Sequence, residues 1–271
     1  MNLDKMNQLL NHGANPNALN NSKQTPLHLL VDACTYQDIF LDGIRLLVKF
    51  NADIDIQDGE GQSLLLWATE SICDDSIEDE EFGTRYVHQL LKLGANPNLE
   101  TVYGTTPFST AMDRKVDLMS MMVSYGAEID YINSFGFTLL HNAAEELNVD
   151  LVTKLLQHGA DPDILDRLNE SAMHKVLLSP YIENYKNAIL EVTEQLVKHG
   201  ANVNVQNSDG ETPLHIAVGY SAEVKKVENG LEILVRVGLD PYIRNHDDRS
   251  AFEEALKLNN INATKIMLLK L

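Results

Sequence analysis

The chain has 271 residues, 40 of them Asp or Glu against 21 Lys or Arg, for a formal charge of −19. Such an excess argues against binding DNA or RNA backbone, which needs cations to displace phosphate counterions. A hydrophobic content of 44% is enough to build a core, and two cysteines cannot make a disulfide framework.

The first residues, Met1 to Asn7, carry no apolar signal core, and no stretch approaches the roughly 18 apolar residues of a membrane span. The expectation is a cytoplasmic protein. A first helix is predicted from Leu3 to Asn11. It runs into Gly13-Ala14-Asn15, and that short pattern returns as Asn51-Ala-Asp, Gly94-Ala-Asn, Gly126-Ala-Glu, Gly159-Ala-Asp, Gly200-Ala-Asn and Gly238-Leu-Asp. A second pattern begins at Thr25, Ser63, Thr106, Thr138, Ser171, Thr212 and Ser250. From the start of each first pattern to the following Thr or Ser is always 12 residues. From there to the next first pattern it is 26, 31, 20, 21, 29 and 26. One segment is fixed in length and the other absorbs every insertion, the mark of an internal repeat.

The chemistry assigns the segments. Thr and Ser hydroxyls accept from the orphan N–H groups of a first helical turn. Pro after Thr25, Thr106 and Thr212 suits the first helical position. Six Gly and Asn51 stand where a helix stops in the left-handed conformation. Between cap and stop lie apolar stripes at helical spacing, such as Val149, Val152, Leu155 and Leu156. Each unit therefore reads as helix, turn, helix and a loop of constant length, with insertions confined to the turn. The last helix is predicted from Ile261 to Leu271.

Thr212-Pro-Leu-His-Ile-Ala, Thr25-Pro-Leu-His and Gly200-Ala-Asn-Val-Asn resemble the ankyrin repeat, and the resemblance covers essentially the whole chain. It implies an all-α ankyrin-repeat solenoid of stacked antiparallel helix pairs with projecting β-hairpin loops and a concave binding face. As a single array, residues 1–271 divide into a half-repeat 1–12 and seven repeats near 13–50, 51–93, 94–125, 126–158, 159–199, 200–237 and 238–271.

Seven of nine histidines belong to this grammar. His28, His141, His174 and His215 occupy the slot in which the family uses an imidazole to tie neighbouring loops. His12, His158 and His199 precede the helix stop, where a basic side chain suits the helix dipole. His88 and His246 have no partner at a metal-ligand spacing, and no phosphate loop, zinc helix or nucleophile elbow is present, so no metal, cofactor or catalytic residue is expected. Cys34 and Cys73 read as two free thiols, since packed helices stand too far apart for a disulfide.

The resemblance places partner contacts at the hairpin tips and the exposed turn of each first helix. Those positions give Asp32, Glu60, Glu70, Tyr103, Asp113, Phe135, Phe137, Glu145, Glu146, Arg167, Leu168 and Tyr220 as candidate partner-binding residues. Tip aromatics either anchor a partner or pack on the next hairpin. The acids, with Glu170, Asp209, Glu211 and Asp247, suggest a field facing a basic protein. The insertion from Glu70 to Arg85 holds seven acids before Arg85 and reads as a solvated turn or as a finger for a basic patch. It lacks the mid-loop Gly of a calcium loop. A second insertion carries Tyr181 and Tyr185. The apolar C-terminal helix leaves weak self-association open.

The expectation is a non-enzymatic protein-binding module, used as a stoichiometric inhibitor or immunity-type protein. The alternatives are an adaptor or secreted effector docking an apolar peptide or larger assembly, and an enzyme with an unrecognised site.

Overall fold

A computed structural model describes residues 2–32, 37–73, 80–111, 118–180, 186–223 and 238–268. It forms two compact units, Met1–Glu128 and Ile129–Leu271.

In the first unit, α1 (Leu3–Asn11), α3 (Gln37–Lys49), α5 (Glu80–Lys92) and α7 (Leu118–Ser124) form an outer row, each packed on the next. Helices α2 (Pro26–Asp32), α4 (Leu64–Cys73) and α6 (Pro107–Thr110) form the inner row. In the second unit the inner row is α8 (Leu139–Glu145), α10 (Ala172–Leu178), α12 (Pro213–Glu223) and α13 (Ala251–Lys257). Its outer helices are α9 (Val149–Gln157), α11 (Lys186–Lys198) and α14 (Ile261–Leu268).

Most of the predicted caps, and all of the predicted stops, are met. Thr106, Thr138, Ser171 and Ser250 close capping boxes with the residue three places on. The Leu66 N–H donates to Ser63 Oγ at 3.2 Å. All seven helix stops lie at positive φ, from 63° at Asn51 to 109° at Gly238. Five residues past five of the seven caps a small Ala recurs in the inner row. Ala68, Ala143, Ala217 and Ala255 are wholly buried, which lets neighbouring inner helices approach closely. Val152, Leu155, Val192 and Leu196 of the outer helices seal the second unit from the other side.

The tips differ from expectation. Among the described residues there is no β-strand, and a single isolated bridge pairs Arg244 with Ser250. Each tip is instead a five-residue turn, closed by the N–H of its first residue donating to the carbonyl of its fifth. The pairs are Asn20–Gln24, Asp58–Gln62, Thr101–Thr105, Asn133–Phe137, Asp166–Glu170, Asn207–Glu211 and Asn245–Arg249, all at 2.9–3.0 Å. The side chain of that first residue also accepts from the N–H groups two and four places on in every turn. The side-chain oxygen does locally what a strand ladder would do, so no strand is needed.

Candidate partner-binding surface

Two ladders hold the tips and loops in place. The first runs through imidazoles. In each histidine-bearing cap, Nδ1 accepts from the backbone N–H of the capping Thr or Ser, at 3.1–3.3 Å. Nε2 must then carry the proton, and it donates to a carbonyl of the next loop. Those carbonyls are Gln62 for His28 (3.3 Å), Glu170 for His141 (3.0 Å), Glu211 for His174 (3.1 Å) and Arg249 for His215 (3.1 Å). Burial lowers the His141 pKa and pushes His174 down to about 4, against the raising pull of the Glu170 and Glu211 carbonyls. The stop-site histidines use the opposite ring nitrogen. Nδ1 of His12, His158 and His199 lies 2.7–2.8 Å from the carbonyl four residues back, capping the helix end by direct donation.

The second ladder runs through Asn and Asp four residues past each of the first six helix stops. Asn17, Asp55, Asn98, Asp130, Asp163 and Asn204 each accept from a backbone N–H of the following repeat, at 2.6–3.1 Å. Asn17, Asn98 and Asn204 also donate to the carbonyls of Asn51, Gly126 and Gly238. A carboxylate cannot make that second bond. Burial raises the Asp55 and Asp130 carboxyls above their usual range, against the lowering pull of the N–H groups they accept from.

On this frame the candidate residues fall into three groups. In the first unit, Tyr103 is 71% and the adjacent Val102 63% exposed at one tip. The Val102 N–H donates to the Glu60 carbonyl at 3.3 Å, which sets the exposed Glu60 side chain beside them. Glu70 is half-buried on α4.

In the second unit, Phe135 and Leu168 are 51% and 59% exposed. Arg167 reaches back along the tips to donate to the Ser134 carbonyl, passing so close over Gly136 that a Cβ there would meet its side chain at 2.6 Å. Arg167 therefore braces its neighbour as well as presenting charge. Glu145 and Glu146 stand exposed at the C-terminal end of α8, where the helix dipole disfavours negative charge.

Phe137 is half-covered. Its ring carries the Lys175 ammonium 4.8 Å from its centre, and it leans on His141. Lys175 is buried and bridges Asp166 at 2.8 Å and Glu170 at 2.6 Å. Burial works against its charge, but the two carboxylates outweigh it and raise the Lys175 pKa. Asp166 is lowered: burial opposes this, and the bonds from Lys175 and from the Glu170 and Leu168 N–H groups prevail. Glu170 thus belongs to the interior and not to an exposed acidic field. The sequence gives no sign of this cluster: Lys175 occupies an inner-helix place where five of the other six repeats carry uncharged residues and the last carries Glu254.

The side chains of Asp32, Tyr220 and Cys73, together with Asp113, Cys34, the acidic residues 74–79 and Tyr181–Tyr185, lie outside the described residues. His88, without a metal-like partner in sequence, faces the Tyr125 hydroxyl at 3.1 Å. On α14, Met267 is buried while Ile261 and Leu268 stand exposed. No helix among the described residues is long and apolar enough to cross a membrane.

Comparison with known proteins agrees with this geometry. A family model described as ankyrin repeats (3 copies) matches residues 81–166, and one described as ankyrin repeats (many copies) matches residues 190–223. The chain belongs to the ankyrin-repeat proteins. A putative ankyrin repeat protein of fowlpox virus (strain NVSL) is 28% identical over 95% of this chain and 55% of its own length. A second fowlpox protein of that description is 38% identical over 26% of this chain and 13% of its own length. Mouse Rabankyrin-5 is 29% identical over 42% of this chain and 10% of its own length. The chain thus spans from a tenth to about half of these relatives. The crystal structure of the ankyrin repeat domain of Bcl-3, of the IκB protein family, superposes with a TM-score of 0.71. It covers 90% of this chain and 98% of that domain at 23% identity, which establishes the fold alone. Ankyrin repeats are a protein–protein interaction module, and this chain carries that module.

Proposed function

We propose that this ankyrin array binds a basic protein partner without catalysing a reaction, using exposed aromatic tips flanked by acids. The observation that carries the reading is the first-unit tip. Tyr103 and Val102 are largely exposed, although the backbone beneath them is fully braced by Thr101 and Glu60. A braced turn presenting a bare aromatic is preorganised for contact, and such aromatics supply most of the energy at interfaces. Phe135 and Leu168 offer the same chemistry on the second unit, where Glu145 and Glu146 are exposed at the far end of α8. Two acids at the wrong end of a helix cost local stability, and a cationic partner would offset that cost. Stoichiometric inhibition of a basic target is the use that best fits the charge of −19.

The test is retention of basic proteins from native lysate on the immobilised chain, washed at low and at high salt. The Tyr103→Ala/Phe135→Ala double variant should retain them at least about tenfold less well, each anchor being worth roughly 1–2 kcal/mol. Equal retention would remove the tips from the account. Retention indifferent to salt would point to an adaptor docking an apolar peptide.

A further inference from the structure

Two guanidinium groups come together on the outer helices of the first unit. Between α3 and α5 a groove of about 430 Å³ is lined by Leu41, Asp42, Arg45, Arg85, His88 and Gln89. Each basic group in it is held by a second protein contact. Arg45 donates through one terminal nitrogen to Asp42 at 3.1 Å and through the other to Gln89 Oε1 at 2.9 Å. The Arg85 guanidinium lies 5.9 Å from the centre of the Phe82 ring. His88 Nε2 is fixed by the Tyr125 hydroxyl at 3.1 Å.

These contacts leave donors unspent. A guanidinium has five N–H groups in a planar fork, so Arg45 keeps others after serving Asp42 and Gln89. Arg85 forms no ion pair among the described residues. Arg85 also stands in the sixth place of α5, too far from the C-terminal turn for the helix dipole to account for its charge. Leaving His88 aside, the charged groups of the lining sum to one positive charge: two guanidinium groups against the Asp42 carboxylate. That balance matches a single carboxylate better than a phosphate dianion. The volume exceeds what one small oxyanion fills and suits a short stretch of chain.

We propose that this groove receives a Glu- or Asp-bearing segment of a partner protein, its carboxylate gripped jointly by Arg45 and Arg85. Leu41 supplies an apolar wall for the stem of the acidic side chain, and Gln89 orients Arg45. The site is separate from the tip surface and opposite to it in charge preference. A chain at −19 repels acidic peptides in general, so binding of one reports a local site.

The test uses the full chain and a fluorescein-labelled Ala/Ser decapeptide with a central Glu-Glu pair, read by fluorescence anisotropy at low ionic strength. Saturable binding is expected, with none for the matched Gln-Gln peptide. Arg45→Gln and Arg85→Gln should each weaken it at least about tenfold, the usual effect of losing a charge-assisted bond, while helical circular dichroism stays unchanged. Lys257→Gln, which removes the same charge from α13, should leave affinity intact, as should the Tyr103→Ala/Phe135→Ala variant. No binding of the Glu peptide, equal loss with Lys257→Gln, or wild-type affinity in Arg85→Gln would each overturn the proposal. So would displacement of the peptide by millimolar inorganic phosphate, which would mark the site as one for phosphate.

Discussion

The two units tie their loops together with different chemistry. In Ile129–Leu271 three imidazoles follow one another along the inner row, His141 to Glu170, His174 to Glu211 and His215 to Arg249. In Met1–Glu128 only His28 does this. At Ser63 and Thr106 the imidazole place is taken by Leu66 and Ser109, whose cap bonds stay within their own repeats. Both units add an amide tie, Gln57 donating to the carbonyls of Gly61 and Glu100 and Gln206 to those of Gly210 and Arg244, while the Trp67 indole N–H donates within its own repeat to Gln62 Oε1. A neutral imidazole is the more versatile tie, since it accepts and donates along one line, but it titrates. Amides and indoles do not. Acid therefore attacks the two units unequally.

The largest way to sharpen this contrast is the buried cluster that, among the described residues, the second unit alone possesses. Lys175→Met leaves Asp166 and Glu170 buried without a counter-charge and should lower unfolding stability by about 4 kcal/mol, the cost of breaking a buried ion pair from one side. Urea denaturation measures it. A loss below about 1 kcal/mol would mean the two acids find water.

The pH dependence comes next. The folded-state pKa of His174 is depressed to about 4 from 6.5, so between these values the unfolded chain binds more protons. Its contribution to stability is present above pH 6.5 and lost as pH falls towards 4, a change on the order of 3 kcal/mol. His141 shifts in the same direction. Hydrogen exchange at pH 4.5 should show the amides of α8 and α10 losing protection before those of α4 and α5. Simultaneous loss would break the comparison. His174→Gln, whose amide does not titrate, should flatten the dependence while costing about 1–2 kcal/mol at pH 7.

The smallest effect concerns the second ladder. Asp55→Asn and Asp130→Asn replace carboxylates of raised pKa with amides able to donate to the next helix stop, as Asn17, Asn98 and Asn204 do. Each should stabilise by up to about 1 kcal/mol, visible as a higher denaturation midpoint. No gain at either position would show that the Asn bonds contribute little.

The sequence made the period, the caps, the stops and the imidazole ties legible, because each demands a residue type at a fixed offset. The tip brace was equally regular: Asn, Asp or Thr stands five places before every cap, from Asn20 to Asn245. It escaped notice because these residues are common in any loop, and only the structure shows one oxygen serving two N–H groups. Lys175 and Glu170 could not be read at all. Charge in a sequence carries no sign of depth, and the Lys175 ammonium lies against the ring of Phe137, 38 positions away in chain numbering. The same opacity hides the outer groove, where Arg45 and Gln89 meet across 44 positions.

The second ladder also bears on how such a chain can change over evolutionary time. Each rung needs one acceptor from its own repeat and one main-chain amide from the next, whatever side chains surround them. A repeat could therefore be duplicated, deleted or exchanged for a relative's by recombination at these loops, and the joint would still close. Recognition could diverge at the tips while the mortar between bricks stayed the same.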